Sequence, residues 1–167
     1  MSLTGNPTLT SASAITNDGF WPNLSIADLL NNYRVPAEYA DSVISTGLVM
    51  AIVRVNDVLY PVKEAVVSMG FNVFAAYVAA HHPQAVNSVN MLELNYHNAV
   101  HTRAKAGLLQ QFNSMNRKPN AENAAKESES TEQYFLDESQ LSIKALFDAV
   151  LPDAVVFGSA NTYASLL

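Results

Sequence analysis

Gly47-Leu48-Val49-Met50-Ala51-Ile52-Val53-Arg54-Val55 is where helix and strand readings of this chain part company. Rich in β-branched residues, the segment suits a buried strand by propensity alone. Length favours helix, because the apolar pattern continues past Leu59 to Val67, well beyond an ordinary strand. Upstream, Pro36 fits the first position of a helix, and Glu38 complements the dipole in its first turn. From there Tyr39, Val43, Gly47, Met50, Arg54 and Val58 fall at helical spacing. Pro61 predicts a kink in this helix, and Gly70 predicts its stop.

Working outward, Ser25 followed by Asp28 predicts the cap of a short helix that carries Ile26, Leu29 and Leu30. A third, long helix is expected over about 86–112, free of proline and with one late glycine, Gly107. In a fourth, over 134–150, Phe135, Leu136, Ser139, Ile143, Leu146, Phe147 and Val150 keep a 3/4 spacing. Residues 1–19, made of Ser, Thr, Asn and Pro with scattered apolar residues, read as a flexible arm. Residues 20–150 read as one helical domain, within which the polar, charge-dense 116–133 is expected to be a solvated loop. Residues 151–167, opened by Pro152, form a C-terminal arm, where Val155-Val156-Phe157 is short, β-prone and bounded by Gly158. The expected fold class is mainly α: a small bundle of about four helices with extended N- and C-terminal arms and a short C-terminal strand or hook.

Composition bounds the function. A chain of 167 residues fits one domain, since domains usually run to roughly 100–200 residues. Charged residues make up 14% of it, against the usual quarter or so. With 49% hydrophobic residues, a surface so poor in charge invites association, so neighbours or a docked partner are expected. The formal net charge of -6 disfavours a dedicated nucleic-acid or anionic-membrane binder. The absence of cysteine excludes disulfides, thiolate zinc sites and cysteine catalysis. MSLTGNPTLTSASAITNDGF lacks the basic and apolar regions of a signal peptide. Ala65 to Ala80 is almost continuously apolar, but Gly70 and Asn72 interrupt it and His81-His82-Pro83-Gln84 closes it. It falls short of the roughly 20 residues of a membrane span, so a buried segment of a soluble, intracellular protein is expected.

Chemistry is sparse. Glu93, His97 and His101 share one helix face at i, i+4, i+8, a spacing at which two imidazoles and a carboxylate can chelate a first-row metal. The order is not that of H-E-x-x-H, and Lys105 continues the face, so a polar or subunit-facing stripe is the plainer reading. No G-x-S-x-G, P-loop or G-x-G-x-x-G is present. Glu127, Glu129, Glu132, Asp137 and Glu138 form an acidic run suited to solvent. Arg103, Lys105, Arg117 and Lys118 offer phosphate contacts or an ordinary surface. Nothing reads as an active site. The alternatives to a structural protein are a small metal-binding helical enzyme and a nucleic-acid-binding module.

The order of features carries further. Phe20-Trp21-Pro22-Asn23-Leu24 opens the bulk, then a short helix leads to Val35-Pro36-Ala37 and a long helix ending Val67-Ser68-Met69-Gly70-Phe71. A helix with Tyr96, Ala99-Val100 and Ala104-Lys105-Ala106-Gly107-Leu108 follows, then the polar insert and a last helix. This order over about 20–155 resembles the head completion protein L family of contractile-tailed phages. The resemblance implies a virion component and not an enzyme, with no cofactor and no catalytic residue. It implies an adaptor at the head–tail interface, assembled in the host cytoplasm, that docks under the portal and closes the DNA-filled head. The expected partners are the portal protein, neighbouring copies in a ring of roughly twelve, and a downstream connector or tail component. Packaged DNA would pass through the channel without sequence-specific binding; the acidic insert either faces the channel, where it would repel phosphate, or lies on the outside. Val155, Val156, Phe157 and Tyr163 would anchor the C-terminal arm on the portal by strand addition.

Overall fold

A computed structural model describes residues 14–33, 35, 41–115 and 121–152, with side chains described over 14–33, 35, 42–110 and 131–152. The protein is mainly helical, with two small two-stranded sheets. The elements run β1 (Ala14–Ile15), β2 (Leu24–Ser25), α1 (Ile26–Tyr33), α2 (Asp41–Val58), α3 (Tyr60–Ser68) and α4 (Phe74–His81). A hairpin of β3 (Ala85–Val86) and β4 (Val89–Asn90) follows, then α5 (Met91–Met115) and α6 (Ala121–Val150).

The segment 47–55 is helical, and its buried face is Ile44, Leu48, Ala51, Ile52, Val55 and Leu59. Of the residues at helical spacing, Gly47, Val43 and Val58 lie on or beside this face, Met50 and Arg54 are exposed, and Tyr39 lies outside the described residues. Gly47 explains the choice. A Cβ there would meet Leu108 Cδ2 at 3.1 Å, so the missing side chain lets α2 approach α5 closely. Pro61 acts as expected, because its ring cannot follow the helix geometry of the preceding turn. The helix breaks at Leu59, and α3 leaves at 59°. At the far end Gly70 takes φ +92°, with Gly70 N–H donating to Val67 O (2.9 Å) and Phe71 N–H to Val66 O (3.3 Å). That pairing is a Schellman stop, which needs a residue free to adopt positive φ.

Four expectations are corrected. The polar insert 116–133 is not a loop throughout: from Ala121 it is the first half of α6. Alanine and glutamate dominate there, and both propagate a helix without burying anything. The third helix starts at Met91 and not near Val86, because Asn87 and Ser88 both adopt positive φ (50° and 63°) and close a two-residue hairpin. Ala65 to Ala80 is not one buried segment, since only Val66, Phe74, Tyr77 and Val78 are buried and the rest is largely exposed. Residues 14–19 of the presumed arm are fastened to the body, with Ala14 and Ile15 paired antiparallel to Ser25 and Leu24. The expected strand at 155–157 lies outside the described residues. Ser25 does cap α1, its Oγ accepting from Asp28 N–H at 3.4 Å.

α5 is the central element, with α2 against one side and α6 against the other. Asn56 meets Tyr96, and Gly47 faces Leu108. On the opposite side Ser139 Oγ donates to Ala99 O (2.8 Å), and Asn98 Nδ2 donates to Ser142 Oγ (2.9 Å). Under α5, Trp21 stacks flat on Tyr96 with centroids 4.8 Å apart and planes 1° from parallel, while Phe20 and Phe74 pack on Trp21. Around the Tyr96 hydroxyl a closed hydrogen-bond ring forms. Asn17 Nδ2 donates to Tyr96 Oη (2.7 Å), Tyr96 Oη to Asn56 Oδ1 (2.7 Å), and Asn56 Nδ2 to Asn17 Oδ1 (2.9 Å). Asp18 takes the amides of Phe20 and Trp21 and pairs with Lys63 at 2.7 Å. Burial alone would raise its pKa, but Lys63 and the two amides outweigh that and hold it below the ordinary carboxylate value.

Two substitutions test this framework. Tyr96→Phe leaves both amides short of a partner and is expected to cost about 1–3 kcal/mol, read as a lower urea midpoint at unchanged slope. Gly47→Val drives a branched side chain against Leu108 and should cost about 1–3 kcal/mol by the same measurement.

Candidate functional site

Among the described residues the histidine face is split by packing, and the side chains of the acidic run are described only from Glu132 onward. Glu93 is half-buried at the start of α5, and the His97 and His101 rings stand 6.0 Å apart. Among the described residues no group of three or more His, Asp or Glu side chains is arranged to hold a metal ion. His101 instead lies under α1, 2% exposed, with its ring 5.0 Å from that of Tyr33 and Nε2 buried without a partner. Burial first, and repulsion from His97 second, push its pKa down to about 4 against the smaller pull of Asp28 and a Ser25 backbone hydrogen bond. His97 is lowered by burial too, against the attraction of Glu93 and Asp28. Both imidazoles are therefore neutral at neutral pH, His101 in the core and His97 half-buried beside it.

The basic group separates likewise. Lys105 Nζ donates to Tyr33 O and sits 4.2 Å over the Phe135 ring, which ties α1, α5 and α6 together. Arg103 is half-buried, and Arg117 and Lys118 lie outside the described residues. Of the acids, Asp137 is exposed and Glu132 and Glu138 half-buried, while the side chains of Glu127 and Glu129 lie outside the described ones. The hook residues Val155, Val156, Phe157 and Tyr163 also fall outside the described residues.

What the described body does present is apolar surface in several places, among them Tyr60, Val67, Met69 and Val73 on and just after α3. The outer face of α2 exposes Val49, Met50 and Val53 at 41–47%. That of α6 exposes Tyr134 (56%) and Leu141 (61%). The hairpin end exposes Val86, Val89, Met91 and Leu94. Sequence reasoning missed the α2 face because β-branched residues surround that helix on all sides, so periodicity does not mark one side as inner. Contiguous apolar faces of this kind are where contacts with other molecules form. Among the described residues no single helix is long and apolar enough to cross a membrane, and α2 with α3 reaches that length only across the 59° bend.

Comparison with known proteins bears on which contacts these are. Residues 15–150 match the family described as phage head completion protein (GPL). The chain belongs to that family. It is also 30% identical to the probable head completion/stabilization protein of Haemophilus phage HP1 (strain HP1c1) over 103 residues. That match covers 62% of this chain and 66% of the relative, so the chain spans just under two thirds of that protein's length. No solved structure matches the chain. Membership in a structural head-completion family makes this a phage virion component, and the mainly helical body with exposed apolar faces is consistent with it.

The buried histidine gives this head-completion protein a pH signature. With a folded pKa of about 4 against about 6.5 unfolded, the unfolded chain binds one more proton between those values. Stability is therefore full above about pH 6.5 and falls as pH drops towards 4, by about 3 kcal/mol from this group. His101→Leu is expected to flatten the stability difference between pH 7 and 4.5 relative to the parent chain, measured by urea unfolding at each pH.

Proposed function

We propose that the protein is an adaptor subunit that docks beneath the portal ring, closes the DNA-filled head and joins it to the next connector or tail component. It works as one of a ring of about a dozen copies at the head–tail interface, after folding in the host cytoplasm. Its role is structural, without cofactor or catalysis. The observation that supports an adaptor is the presence of exposed apolar faces on several sides of the body, on α2, on α3, on α6 and at the hairpin end. A subunit in a ring needs a neighbour on each side and a further partner along the axis, and a chain with 14% charged residues suits such cover. The C-terminal arm, with Val155, Val156, Phe157 and Tyr163 as anchors, adds main-chain pairing to the portal. A net charge of -6 keeps DNA from adhering as it slides through the channel.

Light scattering of the chain alone and mixed with the cognate portal tests the reading. The expected result is a portal ring that gains one copy of this chain per portal subunit. Deletion of 151–167 is expected to weaken that binding by about thirtyfold, the effect of losing one interface anchor worth about 2 kcal/mol. A full chain indifferent to the portal overturns the adaptor role, and a deletion without effect overturns the hook.

A further inference from the structure

We infer that the exposed apolar patch where the hairpin meets α5 is covered by this chain's own C-terminal arm, with Val155 and Phe157 lying over Met91, Leu94 and Val89. The inference concerns the chain before it meets the portal, and it does not depend on the adaptor reading.

The patch begins on a hairpin that little else supports. Gln84 to Val89 are all exposed, and Val86 and Val89 pair across the two strands. An isolated two-stranded hairpin is marginal in water, so its position comes from its root. There Met91 N–H donates to Gln84 O (3.2 Å), and the Asn90 side chain donates to His82 O while accepting from Leu92 N–H (2.8 Å). Asn90 thereby caps α5 and holds the hairpin against its first turn. Val86, Val89, Met91 and Leu94 are left 43–62% exposed.

Two helices frame this open turn. Met91, Leu94, Asn98 and Lys105 share one stripe of α5, spaced by three, four and seven residues. Further along, α1 and α6 close the stripe: Tyr33 Oη donates to Asn98 Oδ1 and Asn98 Nδ2 to Ser142 Oγ, both at 2.9 Å. Lys105 Nζ in turn donates to Tyr33 O and lies over the Phe135 ring. Met91 and Leu94 lie beyond that closure and stay open.

The end of α6 arrives at the same place. It runs antiparallel to α5, with Phe135 at Lys105, Ser139 at Ala99 and Ser142 at Asn98. Eight residues past Ser142, Val150 is therefore level with Asn90, at the root of the hairpin. Leu151 N–H makes the last helical bond, to Phe147 O (2.7 Å), and its side chain packs on the core. Pro152 has no N–H to continue the helix, so the arm leaves from here.

Reach and pattern select the occupant. Val155 to Phe157 follow Leu151 by four to six residues, about 13–20 Å of extended chain. The first turn of α5 is about 8–10 Å away, the spacing of two packed helices. Val155 and Phe157 are two apart, so an extended segment turns both to one side. A tether this short presents the arm at an effective concentration of about millimolar, which a separate molecule does not match. Covering the patch also keeps a β-prone apolar end from pairing with other chains.

The chain has no cysteine, so the contact is read directly in the free protein at low concentration. Val155→Cys combined with Leu94→Cys is expected to close an intramolecular disulfide about tenfold faster than Val155→Cys combined with Asp148→Cys. Asp148 is also within the arm's reach but lies on the outer face of α6. The rates are read from the faster-migrating monomer on a non-reducing gel. Equal rates for the two pairs overturn the inference, because an undocked arm samples both positions. Covalent dimers in place of the closed monomer overturn it in favour of exchange between copies. Chymotrypsin supplies a test without cysteines. Leu94→Glu, at an exposed position, should speed cleavage after Phe157 about tenfold with far-UV circular dichroism unchanged. Cleavage at the parent rate overturns the inference. Neither readout involves the portal, so a failed docking leaves the adaptor role standing.

Discussion

The Trp21–Tyr96 stack, closed by the hydrogen-bond ring of Asn17, Tyr96 and Asn56, is the joint on which the other elements depend. Tyr96 belongs to α5, Asn56 to α2, and Asn17 and Trp21 to the segment ahead of α1. Three parts distant in sequence thus meet at one phenol. Burying that hydroxyl is tolerable only because both neighbours satisfy it, and the same burial raises its pKa well above the ordinary tyrosine value. Phe74 N–H donates to Phe20 O at 3.0 Å, so α4 is hung from the same segment. A fold with this joint places α5 at the centre and leaves α2 and α6 each with one face outward.

That arrangement explains a protein with many apolar residues and few charges. Helices α2 and α6 both pack on α5, and each keeps one face outward. Val49, Met50 and Val53 on one side and Tyr134 and Leu141 on the other occupy positions where an isolated protein would carry charge. Head completion implies association with other virion components, and exposed apolar faces are consistent with that. The interior is polar where it needs to be aligned: Tyr33, Asn98 and Ser142 form a chain of hydrogen bonds from α1 through α5 to α6. Such directional contacts set register between helices whose apolar faces would slide.

Helical class, the Pro61 break, the Gly70 stop, the Ser25 cap and the inner face of α6 were all legible along the chain. Each rests on an interaction between residues a few positions apart, or on a periodicity that one helix carries alone. Ile143, Leu146, Phe147 and Val150 stand out because polar residues separate them. The hairpin at Asn87-Ser88 was less legible, because its two positive φ values were borne by Asn and Ser without the glycine that usually signals such a turn. The helix at 121–133 was masked by a composition that suits a solvated loop and a solvated helix alike.

Local chemistry along 167 residues was thus enough to establish the fold class, the caps and stops, and the absence of cysteine chemistry. The order of its landmarks was enough to point to a phage head-completion family. Which face of α2 is inner was settled elsewhere, by the close approach of Gly47 to Leu108 on a helix 61 positions away in the chain. The fate of Glu93, His97 and His101 was settled by the packing of α1 over α5, which buried His101 beside Tyr33 and left the three without a shared opening. Both outcomes depend on which helices become neighbours, a choice made by the summed burial of many side chains that no single segment encodes.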